Sequence, residues 1–129
     1  VPVPGDYDGD SMLDFAVFYR PNGRWFVLFS GGGGFVQPFG WIQTEPVPAD
    51  YDGDGKTALA VYNPATGRWF FQRSSNGTVE TSNWGWPGAQ ASPFDAYGDG
   101  LTDLAVYHPP TGTWYIWLVG PDTAIARLA

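Results

Sequence analysis

The amino-acid sequence predicts an all-β protein made of three tandem copies of one small antiparallel sheet. Three observations carry that expectation. The motif Asp6-Tyr7-Asp8-Gly9-Asp10 returns 44 residues later as Asp50-Tyr51-Asp52-Gly53-Asp54, and after a further 45, more weakly, as Asp95-Ala96-Tyr97-Gly98-Asp99. A Trp stands nineteen residues beyond each leading Asp, at Trp25, Trp69 and Trp114, with Gly23, Gly67 and Gly112 two residues before it. The 18 Gly and 12 Pro suit many short strands joined by tight turns and not long helices.

Each copy reads as four strands, clearest in the middle one. The first is the Pro-rich approach to the Asp cluster, Pro46-Val47-Pro48-Ala49. The second is Leu59-Ala60-Val61-Tyr62, matched by Phe15-Ala16-Val17-Phe18 and Leu104-Ala105-Val106-Tyr107. Its large residues fall on one face and a small-then-aromatic pair on the other. The turn Asn63-Pro64-Ala65-Thr66-Gly67 leads to the third strand, Arg68 to Gln72. A turn at Ser75-Asn76-Gly77, whose Asn-Gly pair suits a tight hairpin, precedes the fourth, Thr78 to Ser82. The other copies place their third and fourth strands at Trp25 to Phe29 with Phe35 to Phe39, and at Trp114 to Val119 with Thr123 to Leu128.

A period near 44, four strands per copy and one Trp in register are the arithmetic of β-propeller blades, here 1–44, 45–89 and 90–129. Trp25, Trp69 and Trp114 are expected in the core between blades. A lone sheet of this size has two apolar faces and needs a neighbour on each. Three blades cannot close a ring, so self-association is expected: a homodimer giving six blades or a homotrimer giving nine. An open fragment of a longer parent is the competing account, at the cost of bare apolar end faces. Val1 corresponds to Glu45 and Gln90, and the chain opens without Met, which suggests a mature, excised or engineered segment.

The run Asp-Tyr-Asp-Gly-Asp, then Leu-Ala-Val-Tyr, then Pro-x-Thr-Gly-x-Trp resembles the FG-GAP/VCBS repeats of integrin-α-like β-propellers, most closely over Asp50 to Trp69. The resemblance covers essentially the whole chain. It implies a calcium-binding loop between the first two strands of each blade, and a place outside a bacterial cytoplasm or on a cell surface. Rings in that family commonly have seven or eight blades, so three copies depart from it.

In the first copy Asp6, Asp8, Asp10 and Asp14 set four carboxylates at alternate positions, with Met12 between the last two. Such anions repel one another unless a cation sits among them, and hard oxygen donors suit Ca2+. By the family's pattern Met12 lends only its backbone carbonyl; Lys56 and Leu101 hold the same position in the later loops. The second loop keeps Asp50, Asp52 and Asp54, has Ala58 for the fourth carboxylate, and gains a positive charge in Lys56. The third keeps Asp95, Asp99 and Asp103, with Tyr97 for the second. Without an ion, such loops are held by hydrogen bonds that backbone amides donate to Asp side chains.

Composition narrows the function classes. Residues are 43% hydrophobic, 18% aromatic and 15% charged, the balance of a folded chain. A net charge of −7 argues against a nucleic-acid partner, and no apolar run is long enough for membrane insertion. The absence of Cys removes disulfides and thiol nucleophiles. His108 is the single histidine, in a turn, and builds neither a triad nor a zinc site alone. The expectation is therefore a non-enzymatic, calcium-stabilised scaffold or protein-binding module. The alternative is a lectin binding glycans between blades, with Trp41 and Trp86 at matching connector positions, unless those two simply seal blade to blade.

Overall fold

Short strands rich in Val, Phe, Tyr and Trp, punctuated by Gly and Pro, pair with their sequence neighbours because the turns between them are tight. The computed structural model describes residues 1–72, 77–95, 98, 100–117 and 125–128, and among these it contains three antiparallel sheets and no helix. Sheet 1 holds β1 (Phe15–Tyr19), β2 (Arg24–Leu28) and β3 (Gly34–Pro38). Sheet 2 holds β4 (Glu45–Pro46), β5 (Ala60–Asn63), β6 (Arg68–Gln72) and β7 (Val79–Asn83). Sheet 3 holds β8 (Gln90–Ala91), β9 (Leu104–His108), β10 (Thr113–Trp117) and β11 (Ile125–Leu128). Each is a meander in chain order, and the register repeats: Phe18 opposes Trp25, Tyr62 opposes Trp69, and Tyr107 opposes Trp114.

The expected first strand is shorter than its sequence suggested. Proline has no N–H to give a ladder, so Pro46 and Pro48 limit β4 to two residues plus a bridge between Ala49 and Ala58. In the first copy only the bridges Pro2–Val17 and Gly5–Asp14 remain, which leaves sheet 1 with three strands. The expected turn residues Ser75 and Asn76, and the strand ends Val119 and Thr123, lie outside the described residues.

Packing separates the sheets by how many faces they bury. Sheet 1 alternates cleanly: Ala16, Phe18, Trp25 and Val27 are buried, while Phe15, Val17, Phe26 and Leu28 are exposed. The buried face packs on Leu59, Val61 and Phe70 of sheet 2. The opposite face of sheet 2, with Ala60, Tyr62, Trp69 and Phe71, packs on Leu104, Val106 and Tyr115 of sheet 3. The middle sheet is thus covered on both sides and loses the alternation. On the outer face of sheet 3, Ala105 and Ile116 are buried, whereas Tyr107 and Trp114 are half-buried. Trp114 keeps the register of its column without the full burial of Trp25 and Trp69.

The glycine two residues before Trp25 and before Trp69 has a structural cause. Gly23 and Gly67 have φ of 67° and 76°, and a Cβ there would meet Gly40 O at 2.2 Å and Gly85 C at 2.4 Å. The connectors leaving sheets 1 and 2 cross at that point, and the indole N–H of Trp25 and of Trp69 donates to Phe39 O and Trp84 O, both at 2.7 Å. Trp69→Ala therefore opens a cavity and removes the donor to a partly buried carbonyl, with an expected cost of about 3–5 kcal/mol in urea unfolding. Trp114→Ala, on the half-covered outer face, is expected to cost clearly less in the same measurement.

Candidate metal-binding loops

The acidic loops fold by the same local chemistry in all three copies. The leading Asp of each turns its carboxylate back onto the following backbone, as short polar side chains do. Asp6 accepts from the amides of Gly9 at 2.8 Å, Asp10 at 3.2 Å and Ser11 at 2.8 Å. Asp50 accepts from Gly53 at 2.8 Å and Gly55 at 3.0 Å, and Asp95 from Gly98 at 2.7 Å and Gly100 at 2.9 Å. The fifth residue after each leading Asp is left-handed: Gly55 and Gly100, and in the first loop Ser11 at φ 67°.

In the first loop Asp6, Asp8 and Asp14 bring one carboxylate oxygen each within 4.8 Å of one another. Asp10 lies outside that trio but beside Asp8, and accepts from the Met12 amide at 2.9 Å. In the second loop Asp50, Asp52 and Asp54 form the equivalent group. In the third, Asp95 keeps its turn and Asp103 is fully buried, while Asp99 and Tyr97 lie outside the described residues. Three converging carboxylates are a hard, oxygen-only donor set, the kind that takes a divalent cation such as Ca2+.

The charges in the first loop are not equivalent. Asp8 is held above the ordinary carboxylate range, first by desolvation and then by the neighbouring Asp10 and Asp14. Asp14 is held below it by amides: Ser30 N–H donates at 2.9 Å and Tyr7 N–H at 2.8 Å. Asp50 is raised by desolvation, with Asp54 and Asp52 adding to it. Ser30 was not singled out from sequence, although a Ser recurs 44 residues later at Ser74, where Ala58 replaces the acid it would serve.

Lys56 and Leu101, at the position of Met12, show a second role through their side chains. A methyl at Gly9 would touch Lys56 Cγ at 3.0 Å, and one at Gly53 would touch a Leu101 methyl at 2.6 Å. Each of these side chains thus lies over the loop of the preceding copy. The loops are also joined by backbone: Thr57 N–H donates to Asp6 O at 2.7 Å, and Thr102 N–H to Asp50 O at 2.9 Å.

The two connector Trp residues occupy junctions between sheets. Trp41 meets Phe70 edge-on at 5.3 Å, and Trp86 meets Tyr115 at 5.0 Å and His108 at 5.3 Å. Trp86 also lines a cleft with Asn83, Trp84, Gly85 and Tyr115. Arg68 donates to Asn83 Oδ1 at 3.0 Å, and Arg20 ties down the first connector through Thr44 O at 2.7 Å. No family model, no curated protein and no solved structure matches this chain.

The hydrogen bonds to Asp14 give a prediction with a definite sign. A carboxyl held low in the folded state stabilises it above the ordinary carboxylate pKa, and that contribution fades as pH falls through the folded value. Asp14→Asn is expected to lower the thermal midpoint at pH 7 in the absence of metal, with the difference shrinking below about pH 4. Midpoints recorded by circular dichroism across that range check it.

Proposed function

We propose that the chain is a non-enzymatic, calcium-stabilised scaffold or binding module: three blades of a β-propeller that self-associate to complete a ring. The observation that carries the calcium part is the convergence of the Asp6, Asp8 and Asp14 oxygens within 4.8 Å at one end of sheet 1. The propeller part is supported by three meandering sheets with a common register, stacked face on face. A homodimer would give six blades and a homotrimer nine. A structural role suits the loops better than a catalytic one, since a catalytic metal works beside an acid, base or nucleophile. The single histidine instead sits against Trp86. An extracellular setting goes with this reading, because exposed loops of modest affinity fill where calcium is abundant.

A binding ion adds stability by mass action, about 2.7 kcal/mol when calcium reaches 100 times its dissociation constant. Raising calcium should therefore raise the thermal midpoint by several degrees, and a chelator should reverse it. Asp8→Ala should remove most of that shift, and Asp52→Ala a smaller part. A midpoint indifferent to calcium and chelator would overturn the metal reading.

A second reading, glycan binding, is favoured by the cleft between sheets 2 and 3, whose Trp84, Trp86 and Tyr115 offer aromatic surface beside Asn83. A glycan array separates it from the first. A sugar signal lost in Trp86→Ala would support the lectin, and a blank array would end it.

A further inference from the structure

Sheet 1 turns an apolar face to solvent. Phe15 is 75% exposed and Leu28 60%, and Val17, Tyr19, Phe26 and Val36 stand beside them. Together they form a patch on the order of 500 Å2, the upper range of what soluble monomers leave bare.

The chain itself specifies what covers such a face, because the same junction is built twice inside it. Leu59, Val61 and Phe70 meet sheet 1, and Leu104, Val106 and Tyr115 meet sheet 2. Phe15, Val17 and Phe26 hold the corresponding positions in sheet 1. In both junctions the covering side is the Ala-aromatic-Trp face of the preceding sheet. Among the described residues, the one such face not enclosed between sheets is that of sheet 3, where Tyr107 and Trp114 are half-buried beside the buried Ala105 and Ile116. Phe94 extends it, 41% exposed, with its ring against Trp114.

The loops repeat the pattern. At the first junction Thr57 packs on Gly5, where a Cβ would lie 3.2 Å from Thr57 Cβ. One junction on, Ala49 and Thr102 hold these positions, and the remaining pair is Phe94 and Leu13. Leu13 is 68% exposed. Two exposed hydrophobic side chains thus stand at opposite ends of the chain, where the internal contact has Gly and Thr.

We propose that the bare face of sheet 1 docks a second copy of this chain, which presents the outer face of its sheet 3 in the register of the two internal junctions. Leu13 then meets Phe94 of the second copy, its amide faces the Asp95 carbonyl, and Phe15, Val17 and Phe26 cover Tyr107 and Trp114. The contact is head-to-tail, so each copy keeps one donor and one acceptor face, and association runs on until a ring closes. This deepens the proposed function and rests on its self-association.

The native chain has no Cys, so engineered thiols report this register without background. Leu13→Cys and Phe94→Cys in one chain should give covalent multimers on mild oxidation, while either change alone should not. Separately, Phe15→Asp with Leu28→Asp should shift the native mass from multiples of the subunit to one subunit, with at least a tenfold fall in the multimer fraction. Both residues are exposed, so a lone chain should still unfold cooperatively. Cross-linking by Leu13→Cys alone would mean like faces meet, and overturns the head-to-tail register. A native multimer without cross-links in the double-Cys chain overturns the register too, but leaves self-association standing. A single-subunit native mass at all concentrations overturns docking and ring completion together, while the calcium response of the midpoint stands apart.

Discussion

The two-sidedness of its sheets governs this molecule. A sheet of three or four short strands with Phe, Tyr, Trp and Val alternating on both faces cannot satisfy them alone, and stability comes from burial between neighbours. Sheet 2 shows the satisfied case, with Val61, Tyr62 and Trp69 nearly inaccessible. Sheet 1 shows the same design with a neighbour on one face only, since the positions of Leu59, Val61 and Phe70 become exposed Phe15, Val17 and Phe26. Identical local structure thus yields opposite burial according to what stands beside it.

That dependence on neighbours explains what was legible in the sequence. The repeat fixed the strands and their register, because turns and pairing are local and each copy spells them again. Arg68 to Gln72 forms a strand over the expected span. The bounds of other strands moved by a residue or so, and the first strand of each copy shrank because its prolines cannot donate. Burial was less legible. Trp114 reads like Trp25 and Trp69, yet lies half-buried, because an outer face depends on something the sequence pattern of its own sheet does not encode.

In the loops, sequence spacing located the acids but not their partners. Alternate carboxylates suggested a single cluster of four, whereas Asp6, Asp8 and Asp14 converge within 4.8 Å and Asp10 stands beside Asp8, accepting from the Met12 amide. The Met12 bond alone does not decide this, because Asp54 accepts from the Lys56 amide in the same way and still converges with Asp50 and Asp52. Ser30, which donates to Asp14, comes from the far end of β2 and shows only as a Ser recurring at the repeat period.

The loops and the stacking are mechanically one system. Asp6 offers its carboxylate to its own loop and its carbonyl to Thr57 of the next copy, so anything that fixes the loop also fixes the edge on which the next sheet sits. Asp50 repeats the arrangement with Thr102. Lys56 and Leu101 extend from one loop across the glycine of the one before, closing the gap between edges. A cation among Asp6, Asp8 and Asp14 would relieve the repulsion from Asp10 and Asp14 that adds to desolvation in raising Asp8, and the ordering gained would pass to the junction through Asp6 itself. Binding and stacking would then favour each other by linkage, since an ion that prefers the ordered loop prefers the stacked sheets equally. An ion there would act at the rim shared by consecutive sheets, where a modest binding energy would have the most structure to hold.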